Sequence, residues 1–395
     1  MGRVSKAGRA VERSKIREMK ELCEQFDNVI SFAIGEPDFI TPQHIIDSAI
    51  DALKKGRTKY APNAGIPELR QAIAERLKRT HGVSYEWSKE IIITGSGMDN
   101  LRLVFQAILD PEDEVLIPDP TWSNHPNHPI LAAGKSVMTP VYEKDGFMYD
   151  VSVLEQHVTD RTKAVLLNSP SNPTGGAITG EQLTTFCDFC KRHDLIVVSD
   201  EVYEQIIYDG LKFYSPAMVE GMKERVVVCN SFSKTYAMTG WRLGYAAGPA
   251  DIIHGMEILN ENSISCVNTF VQLAGVTALT SSQDCVSEMV KSYQRRRDLV
   301  YNAVNEIRGL SCIRPKGAMY AFVNIQETEL SSEEFAKNLI VQKQICVVPG
   351  SGFGSAGEGF VRICYAVSDE DIAEGMKRIR EYVDELMALA TSPRL

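Results

Sequence analysis

Residues 195–203 read Leu-Ile-Val-Val-Ser-Asp-Glu-Val-Tyr. The apolar run Leu195–Ser199 is followed directly by two carboxylates, Asp200 and Glu201. An apolar run without polar alternation is typical of a strand buried on both faces, as in parallel sheets covered by helices. Similar runs occur at Ile91–Thr94, Glu114–Ile117, Ala164–Leu167, Arg225–Cys229 and Leu243–Ala247. Amphipathic helical patterns separate the runs and include Met98–Leu109, Glu181–His193 and Asp251–Glu261. This alternation predicts an α/β fold with a mostly parallel sheet flanked by helices.

The pattern changes after Cys266. A long helical region over Val267–Glu306 leads to predicted strands and a last helix, at Met319–Val323, Ile345–Val348, Phe360–Tyr365 and Asp369–Leu389. This order predicts a smaller α+β domain, which the N-terminal arm joins. We predict that residues 1–45 form the arm and part of the small domain, 46–285 the large domain, and 286–395 the small C-terminal domain.

The composition is that of an ordinary globular protein. Apolar residues make up 44% of the 395 and charged residues 24%, which excludes a disordered or fibrous chain. The formal net charge of −10 argues against a nucleic-acid partner, and Glu12 and Glu18 interrupt the basic residues of the arm. No apolar run approaches the roughly 18 residues of a membrane span, and no secretory signal is visible. We expect a soluble, cytoplasmic protein without membrane contact.

The nine cysteines do not predict a disulfide framework in a chain of this length. Only Cys187 and Cys190 are close in sequence, and they lie in the middle of a helical pattern. No second pair completes a four-ligand zinc site. We therefore expect two structural thiols one helical turn apart.

Residues 231–245 carry the most chemistry and read Ser-Phe-Ser-Lys-Thr-Tyr-Ala-Met-Thr-Gly-Trp-Arg-Leu-Gly-Tyr. Lys234 follows a buried strand, where an ammonium group loses solvation unless it is paired or reacts. Desolvation lowers the pKa of a lysine and suits it to form a Schiff base. Ser231, Ser233 and Arg242 supply the hydroxyl and guanidinium groups that bind a phosphate monoester.

Three further segments place polar groups just after predicted strands. Asp200 ends one strand, where open α/β sheets bind ligands, although an aspartate there is often a helix cap. Asn172 follows another strand, within Asn168-Ser-Pro-Ser-Asn-Pro-Thr-Gly175. Thr94-Gly-Ser-Gly97-Met98 precedes a helix whose backbone N–H groups attract an anion, unless the glycines serve only a tight turn. Each segment is weak alone, but together they indicate one site.

Four motifs within these segments resemble those of fold-type I, class I/II pyridoxal-phosphate aminotransferases: Ser171-Asn-Pro-Thr-Gly175, Asp200-Glu-Val-Tyr203, Ser231-Phe-Ser-Lys234 and Gly240-Trp-Arg-Leu-Gly244. The similarity covers nearly the whole chain, from Ile30-Ser-Phe-Ala-Ile-Gly-Glu-Pro-Asp-Phe39 to Val361-Arg-Ile-Cys-Tyr365. It is strongest to the aspartate and aromatic aminotransferases of bacteria and archaea. The resemblance implies a seven-stranded sheet in the large domain, pyridoxal 5'-phosphate as the cofactor and a homodimer.

The resemblance also implies a role for each matching residue. Lys234 would bind the cofactor covalently and then act as general base and acid, and Asp200 would pair with its pyridine nitrogen. Arg362 would bind the substrate α-carboxylate, assisted by Asn172 and the backbone of Gly35. The remaining contacts would be Trp122 on the ring face, Tyr203 and Asn172 on the phenolic oxygen, and Ser231, Ser233, Arg242 and the amides of Gly97 and Met98 on the phosphate.

Three positions bear on the partner subunit and on substrate choice. Tyr60 matches a tyrosine that reaches a phosphate across the dimer interface in this family, and the alternative is a buried packing tyrosine. A metal site at His125 and His128 lacks further ligands, so we expect a loop near the substrate mouth. There His125, His128 or a water would meet the distal carboxylate of an acidic acceptor. Met98 stands where some aspartate-using relatives carry a lysine. Because methionine is uncharged and flexible, it favours amino donors with aromatic or other neutral side chains, with aspartate as the runner-up.

The sequence thus predicts an aminotransferase that moves the amino group of an aromatic L-amino acid or aspartate to 2-oxoglutarate in a ping-pong cycle. One alternative is a carbon–sulfur β-lyase of the same fold, which would use Lys234 and Asp200 but release pyruvate and ammonia. Another is a non-catalytic regulator that binds the cofactor. Such regulators carry a DNA-binding domain, for which the roughly 30 residues before Ile30 are too few.

Overall fold

The computed structural model describes residues 3–11 and 13–391. Residues 1, 2, 12 and 392–395 lie outside the described residues. They include Glu12 of the arm and two residues of the N-terminal region considered for a secretory signal. They also include the outer ends of the predicted segments 1–45 and 286–395. Among the described residues, no helix is both long and apolar enough to cross a bilayer.

Strands and helices alternate through most of the chain. Within the described residues the strands are β1 (Ile30–Ser31), β2 (Ile91–Thr94), β3 (Glu114–Asp119), β4 (Lys135–Pro140), β5 (Thr162–Asn168), β6 (Ile196–Asp200), β7 (Val226–Ser231), β8 (Gly244–Ala247), β9 (Tyr320–Asn324), β10 (Ile345–Cys346), β11 (Val348–Pro349) and β12 (Phe360–Cys364). The α-helices are α1 (Lys6–Ala10), α2 (Lys15–Cys23), α3 (Gln43–Lys54), α4 (Pro67–His81), α5 (Gly97–Ile108), α6 (Asn127–Leu131), α7 (Val151–Leu154), α8 (Gly180–Arg192), α9 (Phe232–Thr235), α10 (Ala250–Glu261), α11 (Thr269–Thr280), α12 (Asp284–Asn305), α13 (Ser332–Lys343) and α14 (Asp369–Thr391).

A seven-stranded sheet with the order β2-β8-β7-β6-β5-β3-β4 forms the centre of the molecule. The run from β4 to β7 is parallel, whereas β8 pairs antiparallel with both of its neighbours. Asn168 lies opposite Asp200, and Asp200 lies opposite Cys229. Because these strands are parallel and in register, β5, β6 and β7 end at the same edge of the sheet.

Helices cover both faces of this sheet. Val227 and Cys229 of β7 pack in one apolar cluster with α5 and α10, whereas Val226 and Val228 pack in a second cluster with α4, α8 and α11. Successive side chains of a strand point to opposite faces, so a run of apolar residues is needed to fill both. This double burial explains why the strands lack polar alternation.

A second region contains two smaller sheets. Strands β11, β12 and β9 form a three-stranded antiparallel sheet, and β1 of the arm pairs in parallel with β10. Helix α13, which opens with a capping box of Ser331 and Glu334, packs against these sheets together with α14. The arm therefore joins the region formed by the C-terminal part of the chain. The exact boundaries after residues 45 and 285 stay predictions.

The α/β architecture with a mostly parallel seven-stranded sheet is confirmed. The sequence runs identified only six of these strands, because the edge strand β4 is largely half-exposed and lacks a continuous apolar pattern. The helical region predicted over Val267–Glu306 is two helices, α11 and α12, with a break between Thr280 and Asp284. Cys187 and Cys190 are free and buried in α8, as expected of structural thiols.

We predict that Gly244→Ala destabilises the fold. A Cβ atom at Gly244 would lie 2.5 Å from the carbonyl carbon and 2.8 Å from the carbonyl oxygen of Ser96, and backbone atoms cannot move aside as a flexible side chain can. Overpacking of this kind lowers the free energy of unfolding by about 1 to 3 kcal/mol, which denaturant unfolding measures.

Gly255→Ala is the matched control, because a Cβ atom at Gly255 in α10 would lie at an ordinary 3.5 Å from Ala107. Alanine in a helix interior is more stable than glycine by roughly 0.5 to 1 kcal/mol. Equal unfolding free energies for the two variants would contradict the close approach of β8 to Ser96.

Candidate active site

A cavity of about 320 Å³ opens where β5, β6 and β7 end. It receives side chains from the arm, the central sheet and the smaller three-stranded sheet. Eleven of the thirteen predicted site residues line it: Gly35, Gly97, Met98, Trp122, Asn172, Tyr203, Ser231, Ser233, Lys234, Arg242 and Arg362. Asp200 and Tyr60 are outside this lining and are described separately below.

Lys234 lies on the short helix α9, immediately after β7. Its Nζ donates a hydrogen bond of 2.5 Å to the carbonyl oxygen of Gly35, so the arm holds the amine over the cavity. Burial lowers the pKa of Lys234 to about 8, with Arg362 and Arg242 acting in the same direction and Glu36 opposing them. About a fifth of the amine is therefore neutral at pH 7.4, against about 0.1% for an ordinary lysine, and this neutral form is able to attack a carbonyl.

Beside Lys234, several hydrogen-bond donors converge on one end of the cavity. The N-terminus of the twelve-residue helix α5 begins at Gly97, and a Cβ atom there would lie 3.0 Å from Val202 and 3.6 Å from Ser231. The hydroxyls of Ser231 and Ser233 and the guanidinium of Arg242 line the same cavity. A helix N-terminus with hydroxyls and a guanidinium is the donor set that binds a phosphate group.

Asp200 ends β6 beneath the cavity and is 5% exposed. Its Oδ2 lies 2.9 Å from Nε2 of His125, and Nδ1 of His125 lies 2.6 Å from the hydroxyl of Thr121. This chain of contacts fixes the orientation of the carboxylate. The expectation that His125 occupies a loop at the substrate mouth is wrong, because the side chain is fully buried behind Asp200.

His128 is also buried, and neither of its ring nitrogens has a hydrogen-bond partner among the described residues. Burial, with His125 and Arg102 acting in the same direction, lowers its pKa to about 4. A neutral, buried imidazole cannot attract the distal carboxylate of a substrate, so this second expectation for the histidine-rich segment is wrong as well. The polar, histidine-rich composition of Thr121–Pro129 indicated a functional segment, but the sequence alone did not show where the two histidines lie in the fold.

Arg362 of β12 closes the cavity on the side of the smaller sheet. Its Nη1 donates a 3.0 Å hydrogen bond to Oδ1 of Asn172, and its Nη2 donates to the carbonyl oxygen of Ala33. The guanidinium lies between the rings of Tyr320 and Phe353, 4.6 and 4.8 Å from their centroids. Its Nε is buried without a partner in the described structure. A buried, oriented guanidinium is suited to bind a carboxylate.

Tyr320 is a site residue that the sequence analysis missed. Its hydroxyl lies 2.7 Å from the hydroxyl of Tyr203, and it lines the cavity beneath Arg362. Burial raises the pKa of both tyrosines, so both hydroxyls stay protonated and available as donors. Tyr320 begins β9 and belongs to none of the motifs, so no local signal pointed to it.

Tyr60 does not contribute to the cavity of its own chain. Its side chain is 90% exposed, and it borders a separate surface depression with Lys59, Ile264 and Cys266. The alternative of a buried packing tyrosine is therefore wrong for the single chain. The exposed ring is available to another molecule.

Comparisons with known proteins agree with this geometry. Residues 27–379 match the family described as aminotransferase class I and II. An aspartate aminotransferase of Pyrococcus abyssi is 45% identical over 377 residues, and an aromatic-amino-acid aminotransferase of Thermococcus litoralis is 44% identical over 377 residues; each match covers 95% of this chain and 97% of the relative. The crystal structure of the aromatic aminotransferase of Pyrococcus horikoshii superposes with a TM-score of 0.89 at 45% identity, covering 93% of this chain and 99% of the other.

The family match spans most of the chain, and the relatives are matched over nearly their whole length. The family is generally dependent on pyridoxal phosphate, and the cavity described above has the amine, the anion-binding donors and the buried arginine that such chemistry requires. The chain therefore belongs to the class I and II aminotransferases and is an enzyme with aminotransferase activity.

Proposed function

We propose that this aminotransferase binds pyridoxal 5'-phosphate and moves the amino group of an L-amino acid to 2-oxoglutarate in a ping-pong cycle. One observation carries the proposal: Lys234, an amine with a pKa lowered to about 8, shares a cavity with an anion-binding helix end and a buried arginine. When bound, the cofactor supplies an electron sink for the carbanion formed at the substrate Cα.

The residues present fit this cofactor. The N-terminus of α5 at Gly97 and Met98, the hydroxyls of Ser231 and Ser233, and Arg242 would hold the phosphate. Arg242 is itself held by a 2.7 Å hydrogen bond from its Nη1 to the carbonyl oxygen of Thr239. A phosphate there gains charge-assisted hydrogen bonds and the field of a helix N-terminus, both of which favour an anion.

The remaining contacts would hold the ring. Asp200 would pair with the pyridine nitrogen, because it is a buried carboxylate whose other partner, His125, keeps it in place. Trp122 would stack on the ring face, and Asn172 and Tyr203 would hydrogen-bond the phenolic oxygen. A carboxylate beside that nitrogen favours the protonated ring, which withdraws electrons more strongly.

Lys234 would also move the proton between the substrate Cα and the cofactor. Its lowered pKa leaves a neutral amine that accepts a proton near physiological pH and returns it as an ammonium. The carbonyl oxygen of Gly35, 2.5 Å from Nζ, positions the amine and, unlike a carboxylate, brings no net negative charge that would keep Lys234 protonated. Arg362 would bind the α-carboxylate of every donor and thereby orient the Cα–H bond toward Lys234.

The wall of the cavity favours donors with an aromatic or other neutral side chain. Ile16, Ile34, Met98, Trp122 and Val202 line it, and the basic side chains in the lining are those assigned above to the cofactor and the α-carboxylate. Met98 is 42% exposed and flexible, so it adapts to aromatic groups but offers no charge to aspartate. Aspartate is therefore the runner-up donor, and water at the open mouth would meet the distal carboxylate of the acceptor.

We further propose a cytoplasmic homodimer in which Tyr60 reaches the phosphate bound by the neighbouring subunit. The side chain of Ile264, which is 47% exposed, borders the same surface depression as Tyr60 and adds to its apolar surface. Burial of such a surface favours self-association. A reducing compartment fits the nine cysteines, all of which are free.

We predict that Lys234→Ala abolishes covalent attachment of the cofactor. Borohydride reduction should fix pyridoxal phosphate to the wild-type protein and to Lys55→Ala, a control at an exposed lysine, but not to Lys234→Ala. Attachment to the wild type should speed up as the pH rises and level off above about 8, because only the neutral amine attacks. Cofactor fixed to the Lys234→Ala protein after reduction would contradict the assignment.

We also predict that Met98→Lys shifts the donor preference toward aspartate. The added ammonium would pair with the distal carboxylate, so the ratio of kcat/KM for aspartate to that for phenylalanine should rise by at least about tenfold. Val341→Lys, at an exposed apolar position distant in sequence from the cavity lining, is the control. A wild-type preference for aspartate over phenylalanine and tyrosine of more than about 100-fold, or about 2.7 kcal/mol, would overturn the aromatic assignment.

A further inference from the structure

Four buried ionisable side chains lie behind Asp200 and Tyr203, outside the cavity lining. Arg76 and His81 come from the second half of α4, and Glu201 and Glu204 from the segment after β6. Nη1 of Arg76 lies 2.7 Å from Oε1 of Glu204, and Nε2 of His81 lies 3.0 Å from Glu201 and 3.5 Å from Glu204. None of the four side chains is more than 7% exposed. They form a closed charge cluster that the proposed mechanism does not use.

The hydrogen bonds around His81 decide its protonation state. The hydroxyl of Thr80 donates to the carbonyl oxygen of Arg76 at 2.8 Å, so it has no second proton to give to Nδ1 of His81, which lies 2.8 Å away. Nδ1 must therefore donate to Thr80. Nε2 faces a carboxylate, which only accepts, so it must donate as well. An imidazole that donates from both nitrogens is an imidazolium.

The hydrogen bonds of Glu201 agree with this assignment. Its Oε1 accepts from the hydroxyls of Ser199 at 2.7 Å and Ser215 at 2.6 Å, while its Oε2 faces His81. Both oxygens of Glu201 therefore have a donor once Nε2 of His81 carries a proton, which is the pattern that a carboxylate accepts. Burial and the charge of Arg76 oppose a charge on His81, but the hydrogen bond that His81 donates to Glu201 and the charges of Glu201 and Glu204 outweigh them and raise the pKa of His81.

The cluster then balances its own charge. Two carboxylates meet one guanidinium and one imidazolium, as buried charges must be paired to be tolerated. The other titratable groups that interact with it stay neutral, because burial raises the pKa of each: Tyr85, Cys229, Tyr236 and Tyr245. The side-chain nitrogen and oxygen atoms of His81, Glu201 and Glu204 lie within 4.8 Å of one another, a spacing at which a metal ion could be bound. Arg76 already supplies positive charge to Glu204, so the cluster is balanced without a metal ion.

We propose that His81 is an imidazolium throughout the working pH range and a positioning residue: together with Arg76 it neutralises Glu201 and Glu204, and so fixes the segment that carries Asp200 and Tyr203. The role of this segment rests on the proposed function, because Asp200 and Tyr203 are the residues assigned to the cofactor. Glu201 directly follows Asp200, and Glu204 directly follows Tyr203. The cluster therefore acts on both residues through adjacent peptide units.

The protonation state is tested by NMR on the protein labelled with ¹⁵N-histidine, over a pH series from 6 to 9. His81, assigned by its loss in His81→Gln, should show two protonated ring nitrogens at pH 8. A neutral tautomer of His81 at pH 7.5 would overturn the proposal. If His81→Gln does not fold, Thr80→Val provides the assignment, because it removes the acceptor at Nδ1, together with the Thr80–Arg76 hydrogen bond, and should lower the titration midpoint of His81.

The positioning role is tested by the pH midpoint of the visible absorption band of bound pyridoxal phosphate. His81→Gln leaves the cluster with one excess negative charge beside Asp200, so the midpoint should rise by about half a pH unit or more. His81→Lys should restore at least part of the wild-type midpoint, and His254→Gln should leave it unchanged. Thr80→Val should raise the midpoint by a smaller amount.

An unchanged midpoint in folded His81→Gln would show that the cluster only stabilises the fold, and the positioning role would be refuted. The NMR series does not depend on the cofactor. A protein that takes up no pyridoxal phosphate would refute the proposed function, and the charge of His81 would still be decided by the ring nitrogens.

Discussion

The parallel register of β5, β6 and β7 is the constraint on which the site depends. It brings Asn168, Asp200 and the end of β7 to one edge of the sheet, so the segments that follow them must share one space. Asn172 is held there by a 2.9 Å hydrogen bond from its backbone N–H to the side chain of Asn168. A shift of one residue in this register would turn Asp200 to the opposite face of the sheet.

The second constraint is that the cavity is built by two regions of the chain. The central sheet supplies Lys234 and the anion-binding donors, while the smaller sheet supplies Arg362 and Tyr320. The arm connects them, because the carbonyl of Ala33 accepts from Arg362 and the carbonyl of Gly35 accepts from Lys234. The desolvation that lowers the pKa of Lys234 therefore depends on the whole assembly and not on one element.

Much of this arrangement was readable from the sequence, because motif residues that follow strand ends obey a general rule of parallel sheets. The rule places Lys234 and Asn172 at one edge without reference to tertiary contacts. It does not place His125 or Tyr320, since their positions depend on how α6 and the smaller sheet pack against that edge. His125 illustrates the limit: a polar segment signals a function, but only the packing shows that the imidazole lies behind Asp200.

The sequence-based prediction was also wrong at an edge strand, which it did not identify, and in a long helical region, where it did not show the break between two helices. Among the described strands, β4 pairs with β3 alone and exposes part of its surface, so its residues needed no continuous apolar run. The break between α11 and α12 lies at residues 281–283. There the side-chain Nε2 of Gln283 donates hydrogen bonds to the carbonyl oxygens of Ala278 and Ser281. Such local side-chain bonds compete with the helix but leave no strong sequence signal.

The central claim is that the cavity transfers an amino group and does not eliminate it. The most direct measurement is a single turnover of the cofactor-loaded enzyme with phenylalanine, and in parallel with aspartate, in the absence of any oxo acid. If the cavity transfers the amino group, this turnover gives one equivalent of oxo acid per site and no ammonia, and turnover resumes once 2-oxoglutarate is added. Continued release of oxo acid together with ammonia, without an acceptor, would contradict it and favour the lyase chemistry.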